Sequence, residues 1–491
     1  MINGNVAILI ALLTSAAFLS AGVMYVRKRT MSVEDYLVAR NTAGGKLATA
    51  TLVASVIGAW VLLSPAETGT WAGLAGLIGY GIGQAAPLVA FIFVGPRMRR
   101  LMPEGHSLTE FVWHRYGACM YVFTLAVIVF YMFIFLAAEL TGVAQAVSLL
   151  ADTPLWITAS IVGLMTVAYT SYGGIRATIF TDGIQFSLIL PLLLVSFGAT
   201  IVLLGGFGDA LAPVKKNAPQ LLSLTHSPGV EFGMTLVIAI LAANMFHQGF
   251  WQRVFTTKDD KALRQGFGVA AAVVVPLILL AGMMGIMAVG NDVVGDRASV
   301  ALFSLVINIL PTWAIVVVLV LALVLVMSSL DTILNGIASV VTSDLARFRP
   351  EIRGLTLLRY SRAITVALIV PAIFIASKGY SVLYLFLIAD LVCSAAVFPV
   401  FWGLYSRRFG GLAALTSSGA GLMIGALFFP KPDFSPWLPD IVWAGKFLAS
   451  FGMALGISAL LSVVLTAVSY RLSTRPYDFA ELRERVRIIE G

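Results

Sequence analysis

The sequence predicts an all-α integral membrane protein with about 13 transmembrane helices. Hydrophobic residues occupy 59% of its 491 positions, charged residues occupy only 11%, and the mean hydropathy is +0.95. Because soluble domains carry about 25% charged residues, this composition excludes a water-soluble fold. Apolar runs of about 18 or more residues recur along the chain, and each could cross a hydrocarbon core of about 30 Å as a helix.

Thirteen such runs follow one another, with short loops between them. The length and low charge of each run favour a membrane-spanning helix, and no low-complexity linker divides the chain, so one helical bundle is predicted. The runs lie near residues 5–26, 47–68, 71–95, 117–150, 155–174, 183–205, 230–252, 267–290, 313–345, 357–377, 380–404, 411–429 and 443–469.

The first run predicts an N-terminus outside the cell. Arg27, Lys28 and Arg29 directly follow this run and no basic residue precedes it, which is the reverse of a cleavable signal peptide. Threading 13 spans from this start places 26 of the 32 Lys and Arg residues on the cytoplasmic side, as the positive-inside rule favours. We therefore expect a multi-pass protein of the cell membrane with a cytoplasmic C-terminus. The six basic residues left outside are Lys215, Lys216, Arg297, Lys378, Lys431 and Lys446.

Composition and motifs also exclude several classes of function. Cys119 and Cys393 both lie within predicted spans and the four histidines show no ligand spacing, so neither a disulfide framework nor a metal cluster is expected. No phosphate loop of the form GxxxxGK[ST] and no soluble segment of domain size occurs. The basic loops suit an anionic inner leaflet and not nucleic acid. Uphill movement of a solute would therefore need an ion gradient, and no organic cofactor or catalytic group is predicted.

The second and seventh spans are predicted to be interrupted. "LVASVIGAWVLLSP" places Ser55 and Gly58 within an apolar run, and "AANMFHQGFWQR" places Asn244, His247 and Gln248 at comparable depth. Either interruption alone is equally well explained by helix packing, since Gly and Pro are common in membrane helices. Matched interruptions in two halves indicate an inverted-repeat transporter with its site near the midplane.

The interrupted spans also divide the predicted bundle into parts. Each is the first of five consecutive spans, and because five is odd, the second group enters the membrane from the opposite side. The predicted parts are a first transmembrane helix with its cytoplasmic loop (1–46), a first inverted repeat (47–206), an outer loop with a second inverted repeat (207–404), two C-terminal transmembrane helices (405–470) and a cytoplasmic tail (471–491).

A polar stripe marks the ninth span, "VMSSLDTILNGIASVVTSDL". Ser328, Asp331, Thr332, Asn335 and Ser339 follow the i, i+3, i+4, i+7, i+11 spacing of one helix face. An unpaired polar group in lipid costs several kcal/mol, so this face is predicted to meet protein or water.

The start of this stripe offers ligands for a cation. Na⁺ is a hard cation that prefers oxygen ligands, and an interrupted helix frees backbone carbonyls for that purpose. Ser328 and Ser329, set against an unwound segment at 54–58, could supply such a cage. The alternative is that both serines bond to carbonyls one turn earlier and bind no ion.

Two acidic residues lie deep within predicted spans. Glu139 is in the fourth span and Asp390 in the eleventh, where a carboxylate is costly unless it is paired, hydrated or protonated. No buried Lys or Arg offers itself as an obvious partner. Both ion or solute contact and structural hydrogen bonding explain these acids, whereas Glu67 is expected to be a solvated rim charge.

Four segments together resemble the sodium:solute symporter family, which includes sodium/glucose, sodium/proline and sodium/pantothenate carriers. They are "VEDYLVAR", "YGGIRATIFTDGIQ", "NMFHQGFWQR", and "SSLDT" followed by Asn335 and "TSDL". The likeness runs from about Val33 to Leu404. It implies two inverted five-helix repeats plus flanking helices.

The resemblance also implies site residues. Asp182 is similar to an acidic residue that the family places on the cytoplasmic sodium route, although a helix N-cap beside Thr181 explains it equally well. The sodium cage of the family, with three backbone carbonyls and two hydroxyls, falls on Ala54, Ile57, Leu325, Ser328 and Ser329.

Departures from the family leave the solute open. Val56 stands where proline carriers have an aspartate, and 267–290 lacks the lysine of sugar carriers. His247 aligns with an inner-gate tyrosine, so it is either a gate, a pH-sensitive group or a packed core residue. The candidates for solute binding or gating are Ser55, Val56, Asn244, His247, Gln248, Glu139 and Asp390.

These features predict a secondary active transporter. We expect sodium-coupled symport of a small polar organic solute, such as an amino acid, a carboxylate or a urea-like compound, into the cell by alternating access. The alternatives are a proton-coupled symporter of the same fold and a transporter-like membrane sensor. The expected partners are the solute and the lipid bilayer, and the oligomeric state is left open.

Overall fold

Long apolar helices account for most of the structure. A computed structural model describes residues 2–27, 32–295, 297–349, 351–352, 354–431, 435–473 and 475–486. Within these ranges, eleven helices are long and apolar enough to cross a membrane. They are α1 (Gly4–Val26), α4 (Ser64–Leu101), α6 (Ala118–Ala151), α7 (Leu155–Leu203), α9 (Ser227–Met245), α11 (Asp260–Gly290), α13 (Thr312–Phe348), α14 (Gly354–Ala376), α15 (Val382–Trp402), α16 (Gly411–Phe428) and α17 (Phe447–Arg471).

Shorter helices complete the bundle and connect its long members. They are α2 (Val33–Leu37), α3 (Gly45–Val56), α5 (Leu108–Tyr116), α8 (Phe207–Asn217), α10 (Gln248–Thr256), α12 (Ala301–Ile309) and α18 (Ala480–Arg485). The helix α18 lies in the predicted tail.

Two of the long helices turn at glycines. Gly73 in α4 has a φ of 61° and Gly174 in α7 a φ of 53°, both in the left-handed region that favours glycine. A straight helix of the 49 residues in α7 would measure about 74 Å, more than twice a hydrocarbon core of about 30 Å. A Cβ on Gly174 would lie 2.5 Å from the Tyr36 ring, so only glycine fits this turn. The predicted number of about 13 spans stays a prediction.

Both predicted interruptions are present. The helix α3 ends at Val56, Ile57 and Gly58 are extended, and a 3₁₀ turn at Ala59–Leu62 leads into α4. In the second half, α9 ends at Met245, and α10 begins directly after an extended residue. Each interruption leaves backbone groups outside the regular helical hydrogen-bond pattern, where they can bind other groups.

The helix α13 is the most enclosed of the long helices. In its most apolar 18-residue segment, 78% of residues are buried, compared with 28% in α1, α7, α14, α16 and α17. This difference places α13 inside the bundle and the other five at its periphery. The polar stripe therefore faces protein, as its pattern predicts.

The helix α15 connects the two ends of the bundle. It starts after Ser381, and the Leu404 carbonyl beyond its end accepts hydrogen bonds from Arg97 Nε and Nη2 at 2.9 and 2.6 Å. We call this end the Arg97 end. The prediction that the N-terminus lies outside the cell rests in part on Lys28 and Arg29, which are not among the described residues.

Candidate functional site

Ser328 joins α13 to the first interruption. Its Oγ lies 3.0 Å from the carbonyl oxygen of Ala54 and 3.0 Å from Oδ1 of Asp182. A hydroxyl has one proton and can donate to only one of these acceptors at a time. Three oxygens from three helices therefore converge at one buried point, which is the donor chemistry that a hard cation needs.

Ser329 contacts the other side of the same interruption through Glu139. Its Oγ lies 2.6 Å from Glu139 Oε2, and the same carboxylate accepts hydrogen bonds from the backbone of Ala59 at 2.9 Å and Trp60 at 3.4 Å. Glu139 is fully buried on α6. It therefore holds the start of the 3₁₀ turn against α13, which satisfies two backbone donors that the interruption exposes.

The five residues proposed as sodium ligands lie around this junction. Ser328 contacts the Ala54 carbonyl, and Ser329 Oγ is 3.4 Å from the Leu325 carbonyl on its own helix. Ile57 is buried within the extended interruption, one turn after Ala54. Ser329 Oγ also lies 3.0 Å from Val326 O on its own helix, which is the kind of contact that the alternative for membrane serines predicts.

A buried arginine, which the sequence patterns do not predict, completes the network. Arg253 Nη2 lies 2.8 Å from Asp182 Oδ2 and 2.8 Å from Thr332 Oγ1, while its Nε lies 3.1 Å from Thr51 Oγ1. The side chains of Arg253 and Asp182 are 1% and 0% exposed. The buried guanidinium of Arg253 therefore balances the negative charge of the Asp182 carboxylate, which also contacts the hydroxyl of Ser328.

The position of Asp182 rules out one explanation of it. Asp182 lies inside α7, eight residues beyond the turn at Gly174, and not at a helix start. The N-cap alternative is therefore wrong. Asp182 instead pairs with the buried Arg253, whereas no basic side chain among the described residues pairs with Glu139 or Asp390.

The rest of the polar stripe faces α7. Tyr169 donates from its hydroxyl to Asp331 Oδ2 at 2.8 Å, and Thr181 Oγ1 lies 3.3 Å from the same oxygen. The amide of Asn335 donates to the hydroxyl of Thr178. These contacts pair Asp331 and Asn335 within the protein and fix α13 against both parts of α7, whereas the buried hydroxyl of Ser339 has no hydrogen-bond partner among the described residues.

A small cavity lies beside the interrupted helices. Its volume is about 40 Å³. Most of its walls are aromatic or aliphatic, and its polar lining residues are Gln84, Asn244 and Asp390. The complete lining is Trp60, Tyr80, Gln84, Tyr131, Phe135, Leu236, Ile240, Ala243, Asn244, Leu383, Phe386, Leu387 and Asp390.

A larger open cavity, which we call the vestibule, adjoins it. The vestibule measures about 800 Å³ and shares Leu383 and Leu387 with the small cavity. Glu67 lies on its wall and accepts hydrogen bonds from Ser381 Oγ at 2.9 and 3.0 Å. Its other lining residues include Trp71, Glu231, Phe232, Tyr380, Tyr384 and Lys446. Because Ser381 precedes α15, the vestibule lies opposite the Arg97 end.

The seven candidates for solute binding or gating separate into groups. Asn244 and Asp390 line the small cavity, and Glu139 belongs to the junction with Ser329. Ser55 donates to the Thr51 carbonyl at 2.6 Å within its own helix.

The other candidates have packing or bridging positions. His247 is 1% exposed and stacks on Phe250 at a centroid distance of 4.5 Å, with the rings of Tyr131 and Phe135 at its edge. It therefore supports a wall of the small cavity. Gln248 donates to the His106 carbonyl at 2.8 Å, which ties α10 to the loop before α5. Val56 is buried, 3% exposed.

A charge cluster lies at the Arg97 end, outside the membrane-spanning helices. His106 Nε2 is 2.6 Å from Glu34 Oε2, and its Nδ1 is 3.2 Å from Glu110 Oε1. Burial alone would lower the pKa of His106, but Glu110 and Glu34 outweigh it and raise that pKa from 6.5 to about 9. Burial alone would raise the pKa of Glu110, but His106 and Arg347 lower it to about 2. The charged cluster thus joins α2 to α5.

Comparison with protein families identifies the chain. The model of the sodium:solute symporter family matches residues 36–425. The chain belongs to the sodium:solute symporter family. It is therefore a membrane transporter and not an enzyme.

Curated relatives of this symporter family member transport different solutes. The spermidine transporter DUR31 of Candida albicans is 31% identical over 421 residues, which cover 84% of this chain and 78% of that protein. The urea-proton symporter DUR3 of Oryza sativa subsp. japonica is 20% identical over 520 residues, covering 97% of this chain and 72% of that protein. One of these relatives is named for a cationic solute, spermidine, and the other for a neutral one, urea.

A solved structure of the same architecture supports the fold of the symporter. It is a Na⁺-coupled sialic acid symporter in a substrate-bound outward-open state, which aligns with a TM-score of 0.75 at 17% identity. The alignment covers 96% of this chain and 98% of that one. At this identity the likeness shows the fold alone.

Proposed function

We propose that this family member is a sodium-coupled symporter that carries a small polar organic solute into the cell. The observation that carries the proposal is the junction where Ser328 Oγ lies 3.0 Å from both the Ala54 carbonyl and Asp182 Oδ1. Bare oxygen atoms from an interrupted helix and from its neighbours are the ligands that a hard monovalent cation takes. The spermidine and urea transported by its relatives support a small organic solute.

Sodium at this junction would couple the ion to the solute. The ion holds α3 against α13, and the same interruption continues through Trp60 into the wall of the small cavity. If ion binding pre-orders that wall, each ligand strengthens the binding of the other by the same factor. One charge that crosses with a membrane potential of 100 mV contributes about 2.3 kcal/mol to each cycle.

The proposed direction of transport follows from the open vestibule. We place the vestibule outside and the Arg97 end in the cytoplasm of a cell-membrane protein, with the N-terminus outside, as the distribution of basic residues favours. Asp182 then lies on the cytoplasmic side of the cage, on the route by which sodium leaves. The residue ranges 47–206 and 207–404 form the two inverted repeats in this proposal.

Proton coupling is the second candidate, and one observation favours it. Glu139 Oε2 lies 2.6 Å from Ser329 Oγ, so a carboxylate that can carry a proton contacts one of the two cage serines. A relative is a urea-proton symporter.

A two-stage experiment tests these candidates. Purified protein is first screened for thermal stabilisation by small solutes, with sodium or potassium as the only monovalent salt. The stabilising solute is then followed into proteoliposomes under an inward sodium gradient or an inward proton gradient. Accumulation driven by sodium at equal pH supports the proposal. Accumulation that follows the proton gradient alone, and is lost in Glu139→Gln, overturns it in favour of proton coupling.

A further inference from the structure

Asp390 is a buried acid whose carboxylate has no partner among the described residues. It is 4% exposed on α15 and lines the small cavity. In the part of the chain that the structure describes, no hydrogen-bond donor or basic side chain contacts its carboxylate, and Ser394 donates instead to the backbone carbonyl of Asp390 at 2.9 Å. A buried carboxylate is costly unless a cation or a proton joins it. The cavity beside it is therefore a place for a positive group.

Aromatic rings surround the space that Asp390 faces. The rings of Trp60 and Tyr80 are stacked with a centroid distance of 6.1 Å, and the ring centroids of Tyr131 and Phe135 are 5.9 Å apart. Phe386 meets Phe135 edge to face at 4.9 Å. Such rings attract organic cations through their π faces, and they also exclude water from the charge. A carboxylate within an aromatic box is the chemistry that recognises an ammonium group on an alkyl chain.

We propose that the solute is an aliphatic amine whose protonated amino group binds Asp390 in the small cavity. This inference rests on the proposed transport function and names the class of its solute. The cavity of about 40 Å³ has room for only a few atoms of the size of a water, since one water needs about 10–15 Å³ in the same measure, so it holds an ammonium group with its first carbon atoms and not a whole metabolite. The rest of the solute extends past Leu383 and Leu387 into the vestibule.

The vestibule suits the rest of such a molecule. The Glu67 carboxylate accepts hydrogen bonds from the neutral hydroxyl of Ser381, and none of the basic side chains that the structure describes pairs with it. Glu231 is the second acid on this wall and pairs with Lys446 at 3.5 Å. Apolar walls with an acidic residue attract and guide a cation with a methylene chain, and they disfavour a carboxylate. A linear diamine therefore fits better than a monoamine.

Thermal stability of the purified full chain tests the inference. The probes are 1,4-diaminobutane, which is doubly positive at pH 7, and butane-1,4-diol, a neutral molecule of the same length. Each is added in sodium and in potassium buffer. The variants are Asp390→Asn, Asp390→Glu and the control Asp209→Asn, which changes an exposed acid on α8.

The expected pattern separates the amine from the ion. The diamine should raise the Tm of the wild type and of Asp209→Asn by several degrees, whereas the diol should not. Asp390→Asn should lose this shift and keep its stabilisation by sodium, and Asp390→Glu should retain part of the shift. If Asp390→Asn does not fold, a retained shift in Asp390→Glu supports the proposal, and an equal shift by the diol overturns it.

Other outcomes contradict the inference or the proposed function separately. Stabilisation of the wild type by sodium without any shift by the diamine overturns the amine proposal and leaves sodium coupling intact. A shift by the diamine that is the same in sodium and potassium supports amine binding and counts against sodium coupling. Loss of the sodium effect in Asp390→Asn, with the diamine shift retained, assigns Asp390 to the ion and also overturns the proposal.

Discussion

Ser328 Oγ lies 3.0 Å from the carbonyl oxygen of Ala54, although 274 positions separate the two residues in the chain. This contact joins the most enclosed helix of the bundle to the place where its first interrupted helix stops. The neighbouring Ser329 reaches the same interruption through Glu139. Two adjacent hydroxyls thus hold both sides of one backbone break, which is the geometric basis of the proposed ion site.

The ion pair between Arg253 and Asp182 should be essential for stability. Removal of one partner leaves a buried charge unpaired, and Arg253→Gln or Asp182→Asn should each lower the free energy of unfolding by about 3–5 kcal/mol. The double variant should lose less than the sum of the two, because neither charge is then left alone. Thermal melting in detergent measures all three. Additive losses would contradict a direct pair.

Gly58 should be irreplaceable at the first interruption. A Cβ at this position would lie 2.6 Å from Glu139 Oε1, and that carboxylate cannot easily move because Ser329 and two backbone groups hold it. We expect Gly58→Ala to lower solute uptake by at least about tenfold, equal to about 1.4 kcal/mol. Gly198→Ala is the control, since a Cβ there meets nothing within 4 Å. Equal uptake by the two variants would refute the tight approach.

The His106 cluster predicts how stability depends on pH. The pKa of His106 is about 9 in the folded protein and 6.5 in the absence of its partners, so the folded state binds the proton of His106 more tightly. The resulting stabilisation, about 3 kcal/mol at most, is complete below about pH 6.5 and is lost as the pH rises through about 9. The Tm of the wild type should therefore fall more steeply from pH 7 to 10 than that of His106→Gln.

His226→Gln serves as the control for that experiment. His226 lies near the vestibule, where its Nε2 is 3.0 Å from the Trp71 carbonyl. This variant should keep the slope of the wild type. The same slope in His106→Gln as in the wild type would show that the cluster does not hold its proton in the folded state.

Much of this architecture could be predicted from local patterns. The polar residues of the stripe that begins at Ser328 repeat with the period of a helix. A helix face with five polar groups cannot face lipid, so it has to contact protein or water. The interruptions at Gly58 and His247 can be predicted because polar and small residues lie within apolar runs. The polar stripe and the interruptions both depend on residues that are close together in the chain, so both can be predicted from the sequence alone.

The remaining features depend on contacts between distant segments. Arg253 ends the motif "NMFHQGFWQR" and resembles a loop charge in sequence, yet its guanidinium is buried against Asp182 from another helix. The aromatic rings around the small cavity could not be predicted from the sequence, because Trp60, Tyr131 and Phe386 lie on different helices that only the fold brings together. The turn at Gly174 coincides with the end of the predicted span 155–174, before the next span at 183–205, but its left-handed φ could be read only from the structure.

Binding of ²²Na⁺ to the purified protein tests the proposed cage most directly. In the double variant Ser328→Ala, Ser329→Ala, we expect the affinity for sodium to fall at least about tenfold, with the Tm measured in potassium nearly unchanged. Ser187→Ala, an exposed serine that bonds back to Ile184 within α7, should bind sodium like the wild type. Unchanged sodium affinity in the double variant would contradict the cage.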